Sequence, residues 1–144
     1  MKKNKVKIRF PSSTDNLEMI RDFVRKLSLK AGFEEEAADH IALAVDEACT
    51  NVIKHAHKYN ARRMIDLNVQ YTAEKFEVTI TDKGKGFDPA RMPKPDLDKY
   101  MHEARKGGLG IHLMRTLMDE VNYTFNPGVK NQVVLVKYLK PGIA

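Results

Sequence analysis

Three short stretches, far apart in the chain, carry side chains that together could bind a nucleotide. The first, Leu43–His57, places the carboxylate of Glu47 and the amide of Asn51 four residues apart. On a helix, residues at this spacing project from the same side, so their oxygens can converge on one small target. Mg²⁺ accepts an amide oxygen alongside phosphates and water, and a neighbouring carboxylate can orient or deprotonate a hydroxyl. A solvated helix face is the alternative interpretation.

The second stretch, Thr81–Pro89, sets Asp82 ahead of Gly84 and Gly86. An aspartate at the end of an apolar strand can accept a hydrogen bond from an exocyclic amino group, which adenine presents on its Watson–Crick edge. The glycines would let the backbone approach a flat ring without a Cβ in the way. A plain β-turn explains Asp-Lys-Gly equally well, and the pattern alone does not separate the two interpretations.

The third stretch is a glycine-rich turn, RKGGLG at positions 105–110, that leads into an apolar helix. Such a turn presents free backbone N–H groups and the positive end of a helix dipole, which suits phosphate. The two cations before the glycines could add charge. The spacing does not match a Walker phosphate loop, which needs Lys-Ser/Thr after its last glycine. A structural helix cap is the alternative.

Composition limits the class of protein. The chain has 144 residues, 42% hydrophobic and 31% charged, as expected for a folded domain, and a net charge of +6. Its basic run, Lys2–Arg9, alternates with apolar residues and is typical of a solvated strand edge, so we expect no direct nucleic-acid binding. The single cysteine, Cys49, fits a reducing compartment and a small buried side chain. We expect no membrane segment and a cytoplasmic location.

Apolar periodicity predicts the elements that position the three stretches. The predicted order is strand, helix, helix, two strands, a long loop from Gly84 to Gly107, helix and two strands. Gly32 is the predicted end of the first helix, and Asn126-Pro127-Gly128 the predicted turn of the last hairpin. The second helix is predicted to start in the acidic run Glu34–Glu36 and to continue to about His57. Alternation over residues 65–71 and 76–80 predicts the two strands that follow it. No repeat or linker interrupts this order, so we expect one domain over residues 1–144. The predicted fold class is α+β, with helices on one face of a largely antiparallel sheet.

The three stretches together resemble the GHKL superfamily of ATPases and kinases, which includes gyrase, heat-shock protein 90 and histidine kinases. Within it they are similar to the anti-sigma-factor serine/threonine kinases. The matching positions are Glu47, Asn51, His55 and Ala56 in the first box, Asp82, Gly84, Gly86 and Phe87 in the second, and Gly108, Leu109 and Gly110 in the third. The likeness continues through Leu117–Val121 and covers nearly the whole chain.

The resemblance implies the Bergerat ATP-binding fold, a two-layer α/β sandwich with a mostly antiparallel mixed sheet. It implies Glu47 as the general base, Asn51 as the Mg²⁺ ligand and Asp82 as the residue that recognises adenine. Residues 86–107 would form a lid over the phosphates. The ATP-binding positions carried over are Asn51, Asp82, Gly84, Gly86, Phe87, Arg105, Lys106, Gly107, Gly108, Leu109 and Gly110.

The resemblance further implies a partner-switching kinase that uses ATP and Mg²⁺. Its partners would be a small anti-anti-sigma protein of the STAS type, which it phosphorylates, a sigma factor, which it sequesters, and a second copy in a homodimer. An ATP-binding regulatory module that binds partners without phosphotransfer is the alternative. A catalytic domain split from a histidine kinase is disfavoured, since no helical hairpin with a phosphoacceptor histidine precedes it. One departure concerns Asn131 and Gln132, which stand where the family often has Gly-Thr, whose hydroxyl helps hold adenine.

Overall fold

Five strands form one sheet in the computed structural model of the chain, which describes residues 2–84 and 110–139, without the side chains of residues 110–112. The strands are β1 (Asn4–Pro11), β2 (Met64–Tyr71), β3 (Lys75–Asp82), β4 (Glu120–Asn126) and β5 (Lys130–Tyr138). Their order across the sheet is β1-β2-β3-β5-β4, and all four pairings are antiparallel. Strand β3 is therefore central, and its last residue, Asp82, pairs with Asn131 of β5.

Within residues 2–84 and 110–139, three α-helices lie in a second layer: α1 (Leu17–Ala31), α2 (Glu35–Asn51) and α3 (Gly110–Leu117). Helix α1 ends where predicted, because Gly32 adopts a φ of 117° and its N–H bonds the carbonyls of Ser28 and Leu29. Glycine alone adopts this left-handed conformation without a steric penalty. Helix α2 packs against both α1 and α3, so it is the central helix of the layer.

The last turn of α2 continues into a π-helical segment, Val52–Ala56. The N–H of His57 bonds the carbonyl of Val52 at 2.8 Å, a spacing of five residues. Lys58 and Tyr59 then take positive φ values of 49° and 63°, which turn the chain towards β2. Such π-helical turns inside helices often occur at functional sites. The predicted helix to about His57 is thus correct in extent, but its last turn is wider than an α-helix.

The core lies between the helices and one face of the sheet. Alternate residues of β2 and β3 face the helices and are buried, as the alternating pattern predicts. The largest fully buried side chains of the core include Phe76, Ile20, Ile41, Ile53, Ile65 and Leu67. The predicted α+β class, with helices on one face of an antiparallel sheet, is confirmed. The long loop predicted over residues 84–107 lies, from residue 85 on, outside the described residues.

Candidate functional site

Asp82 lies at the carboxyl end of β3 and is 6% exposed. Its Oδ1 accepts two hydrogen bonds, from the backbone N–H of Gly84 at 2.8 Å and from Asn131 Nδ2 at 3.0 Å. The bond to Gly84, two residues on, is the local turn that Asp-Lys-Gly favours. The turn that the sequence allows is therefore present, and the carboxylate of Asp82 is in addition buried and held at one oxygen. A buried carboxylate with fixed donors on one oxygen retains acceptor capacity for a ligand.

Asn131, the residue that departs from the family pattern, is 5% exposed and makes three hydrogen bonds. Besides Asp82, its Nδ2 donates to the carbonyl of Gly84 at 2.9 Å. Its Oδ1 accepts the backbone N–H of Asn126 at 3.2 Å. The side chain therefore connects the end of β3 to the hairpin between β4 and β5.

Gly84 joins the second box to the first. A Cβ on Gly84 would lie 2.5 Å from the carbonyl oxygen of Ala56 and 2.9 Å from Cδ2 of His57. No side chain can occupy that space, so the absence of a Cβ allows the turn after β3 to pack on the π-helical segment. Residues that are 28 positions apart in the sequence thus meet at one place.

A cavity opens beside Asp82 between the end of α2 and the sheet. The polar side chains of Asp82, Asn131 and Gln132 contribute to its otherwise mostly apolar lining. The apolar lining comes from both layers: Ala48, Val52, Ala56, Ile80, Phe125 and Val133. Tyr123 also lines the cavity, and burial raises the pKa of its hydroxyl to about 12, so it is a neutral phenol at pH 7. The cavity has a volume of only about 20 Å³, so a flat heteroaromatic ring that carries an amino group would fit beside the carboxylate only after the walls move apart.

Glu47 is half-buried on α2. Burial raises the pKa of its carboxyl, and the negative charge of Asp46 raises it further, while Lys54 opposes the shift. Asp46 is itself held by Arg21 of α1 at 3.3 Å. A carboxylate whose pKa is raised accepts a proton more readily, which is the property that a general base near neutral pH requires.

Asn51 is 8% exposed, so the solvated-face interpretation is wrong for this residue. Within the described part of the chain, its Nδ2 has no hydrogen-bond partner. A buried amide without a partner is costly, so such a group in a folded protein calls for a ligand or a water. The atom without a partner is a donor, which a phosphate or water oxygen would satisfy, whereas Mg²⁺ would be held by the Oδ1 of the same side chain.

The last residue of the third box, Gly110, is where the described residues resume. Gly110 is the first residue of α3, and α3 packs against α2, with Met114 and Met118 buried between the layers. The helix that follows the third box is therefore adjacent to the helix that carries the first. The remaining predicted positions lie outside the described residues: Gly86, Phe87, Arg105, Lys106, Gly107, Gly108 and Leu109.

Comparison with known proteins decides the family. The sequence model of the histidine kinase-like ATPase domain matches residues 10–137. The chain belongs to this family. A relative, the serine-protein kinase RsbW of Staphylococcus aureus, is 32% identical over 96% of this chain and 89% of its own length. The same kinase from S. aureus strain USA300 is 31% identical over the same shares.

Two solved structures share the fold of this histidine kinase-like ATPase domain. One contains the RsbU and RsbW domains of Rv1364c from Mycobacterium tuberculosis, with a TM-score of 0.67 and 12% identity over 96% of this chain and 33% of that one. The other is the SiaB–SiaC complex from Pseudomonas aeruginosa, with a TM-score of 0.67 and 14% identity over 91% and 88%. The predicted membership of the superfamily is confirmed, as is the RsbW-like kinase family within it.

Sequence reasoning missed one member of the site, His57, which is buried with its Nε2 3.9 Å from Asp82 Oδ1. Its Nδ1 lies 2.8 Å from the hydroxyl of Ser12, just after β1. Burial lowers the pKa of His57, although the charge of Asp82 opposes this shift and that of Arg63 adds to it. His57 is 45 positions from Ser12 and 25 positions from Asp82 in the sequence, so no local pattern could have indicated these contacts.

The helices were compared with what a membrane span requires. None of the helices within residues 2–84 and 110–139 combines the length and the apolar character that crossing a bilayer requires.

Proposed function

We propose that this histidine kinase-like ATPase domain is a serine/threonine protein kinase that uses ATP and Mg²⁺ and acts as an anti-sigma factor. The observation that carries the proposal is the buried Asp82 carboxylate, which Gly84 and Asn131 fix at Oδ1 and which lines a mostly apolar cavity. The S. aureus relatives, named serine-protein kinases, support the reaction class. The match over residues 10–137 supports one domain across residues 1–144.

In this proposal Asp82 accepts a hydrogen bond from the 6-amino group of adenine, and the apolar wall of the cavity holds the ring. Asn51 would provide the protein oxygen for Mg²⁺, which when bound neutralises charge on the phosphates. Gly86, Phe87 and residues 105–110 would complete the ATP site. Gly110 stands at the start of α3, where backbone N–H groups suit phosphate oxygens.

Glu47 would act on the hydroxyl of the protein substrate. As the serine oxygen attacks the γ-phosphorus, its proton passes to the Glu47 carboxylate, the bond to the bridging oxygen breaks, and ADP leaves with that electron pair. The products are a phosphoserine, ADP and a protonated Glu47, which returns its proton to water. The raised pKa of Glu47 suits it to accept this proton.

The proposed substrate is a small anti-anti-sigma protein of the STAS type, and the proposed sequestered partner is a sigma factor. The SiaB–SiaC complex shows that a protein of this fold can be captured with a partner, and this supports a protein substrate. A homodimer and a cytoplasmic location belong to the same proposal.

The test combines calorimetry with phosphotransfer. ATP should bind the wild type with an affinity that rises with Mg²⁺, and Asp82→Asn should weaken binding at least tenfold, because the acceptor charge is lost. Asn51→Ala should abolish most of the magnesium dependence. With γ-labelled ATP, label should appear on a serine of the candidate STAS-type protein. ATP binding without any labelling would favour the regulatory module, and no adenosine-nucleotide binding would refute the proposal.

A further inference from the structure

The side chain of Asn131 donates a hydrogen bond to the buried Asp82 carboxylate from the neighbouring strand, at 3.0 Å. We propose that Asn131 is a positioning residue that sets a preference for purines with a 6-amino group, by holding Asp82 in the orientation that accepts this group. The inference rests on the proposed function, since it assumes that Asp82 faces the base. It assigns a role to the position where the chain departs from its family.

The orientation of the Asn131 amide follows from its surroundings. Nδ2 faces two acceptors, Asp82 Oδ1 at 3.0 Å and the Gly84 carbonyl at 2.9 Å, while Oδ1 faces the N–H of Asn126 at 3.2 Å. Turning the amide over would place an oxygen against two acceptors and an NH₂ group against a donor. All three hydrogen bonds would be lost, so only one orientation is compatible with the site.

The fixed amide in turn restricts the carboxylate. Rotation about the last side-chain bond of an aspartate is soft, so an unsupported carboxylate samples a broad range of orientations. Here two donors bond Oδ1 of Asp82. The N–H of Gly84 comes from the turn that follows the same strand, and the Nδ2 of Asn131 comes from the neighbouring strand. Two donors on one oxygen define the carboxylate plane and leave the acceptor capacity of Oδ2 unused by these bonds.

A buried acceptor held in this way discriminates between bases. A site built to bond a substrate N–H rejects the analogue that lacks it, because the buried group is then left without its partner. A carboxylate that is free to rotate can instead find another donor or water, so the analogue loses less. Asn131 should therefore affect the preference for the 6-amino group more than binding of the rest of the nucleotide.

The test compares ATP with purine riboside triphosphate, which lacks only the 6-amino group, in calorimetry with Mg²⁺. The wild type should bind ATP more tightly. In Asn131→Ala, the ratio of the two affinities should fall roughly tenfold while the affinity for purine riboside triphosphate stays within about twofold of the wild type. The matched control is Asn122→Ala, the same substitution at an exposed position of β4, which should keep the wild-type ratio.

Several outcomes would overturn the inference. Asn131→Ala with the wild-type ratio would show that Asp82 needs no support, and equal weakening of both nucleotides would indicate a purely structural role. If Asn131→Ala fails to fold, Asn131→Asp takes its place. This nearly isosteric variant sets a carboxylate against Asp82, so the ratio should again fall, and an unchanged ratio refutes the inference. A wild type that binds neither nucleotide refutes the proposed function instead.

Discussion

The backbone carbonyl of Ala56 lies so close to Gly84 that the space where a Cβ would stand is 2.5 Å from its oxygen. The neighbouring carbonyl carbon and Cδ2 of His57 are each 2.9 Å from the same point. Two of these three atoms belong to the backbone, so they cannot rotate away from an added methyl group. The turn after β3 and the π-helical segment after α2 therefore depend on each other for their positions.

Gly84→Ala should consequently disturb both structure and binding. Either the turn or the segment must shift, and overpacking of this kind typically costs about 1–3 kcal/mol of the free energy of unfolding. The shift would also move the donor that Asp82 uses, so ATP affinity should fall with stability. Urea unfolding and calorimetry measure the two effects.

Gly32→Ala, at the end of α1, is the matched control for this substitution. Gly32 has a φ of 117°, so alanine there is strained, and its Cβ position lies 3.1 Å from Cδ2 of Leu139, the far end of a flexible side chain. We expect a loss of about 1 kcal/mol in stability with unchanged ATP affinity. If Gly84→Ala behaved in the same way, close packing against Ala56 would not matter for binding.

Removal of the carboxylate of Glu47 should separate binding from catalysis. Glu47→Gln keeps the shape of the side chain but accepts no proton, so phosphotransfer should fall roughly 10²- to 10⁴-fold while ATP affinity changes little. Initial rates with labelled ATP and calorimetric titration measure these two quantities. Full phosphotransfer activity in the variant would refute the assignment of the general base.

The pH dependence of phosphotransfer should change when the charges next to Glu47 are removed. The base works when ionised, so the rate should fall as the pH decreases through its raised pKa. Asp46→Asn removes the adjacent negative charge, so the fall of the rate on the acidic side of the pH profile (the acidic limb) should move to lower pH. Lys54→Met removes the opposing positive charge and should move it to higher pH. Shifts in the same direction would show that another group controls the limb.

Asp39→Asn is the control for Asp46→Asn, since each substitution breaks one ion pair between α1 and α2. Asp39 accepts from Arg25 at 2.6 Å, as Asp46 does from Arg21 at 3.3 Å. Loss of the Arg25–Asp39 pair should leave the acidic limb in place, because Asp39 is not among the charges that shift Glu47. An equal shift in both variants would point to helix packing as the cause.

His57 should make stability depend on pH. Burial lowers its pKa in the folded state, so the folded protein favours the neutral ring. Its contribution is complete above the unfolded pKa of 6.5 and is lost as the pH falls below that value, because the unfolded chain binds the proton first. One such group changes the free energy of unfolding by at most about 1.4 kcal/mol per pH unit.

Urea unfolding between pH 5 and pH 7.5 tests this dependence. In the wild type the free energy of unfolding should decline below pH 6.5, and His57→Gln should make this decline shallower. His40→Gln, on α2 and outside the contact with Asp82, should leave the decline unchanged. An unaltered decline in His57→Gln would contradict the prediction.

Cys49 should not react with thiol reagents while the protein is folded. The side chain is fully buried, and burial raises the pKa of its thiol, with the charge of Asp46 adding to the shift. Labelling should therefore be more than about a hundredfold slower in buffer than in urea. A Cys49→Ala variant with Val129→Cys, at a position 62% exposed, should label rapidly in both. Fast labelling of Cys49 in buffer would show that α2 opens readily.

Local signals along the chain predicted most of the secondary structure of the described residues. Alternation in residues 65–71 and 76–80 predicted β2 and β3, and the acidic run at Glu34–Glu36 marked the start of α2. These patterns work because each strand and helix buries one face, and burial imposes the period of the element on its sequence. The π-helical turn at Val52–Ala56 left no such trace, since it changes the backbone spacing but not the apolar pattern.

The residue types of the site were also evident from the sequence, because Glu47, Asn51 and Asp82 have chemistry that few other side chains provide. Only the tertiary structure determined which groups surround them. Asn131 and His57 reach Asp82 from other elements, 49 and 25 residues away, and the burial that shifts the pKa of Glu47 comes from packing around α2. Hydrogen bonding and desolvation depend on distances of a few ångströms between segments, and these distances exist only once the layers have packed.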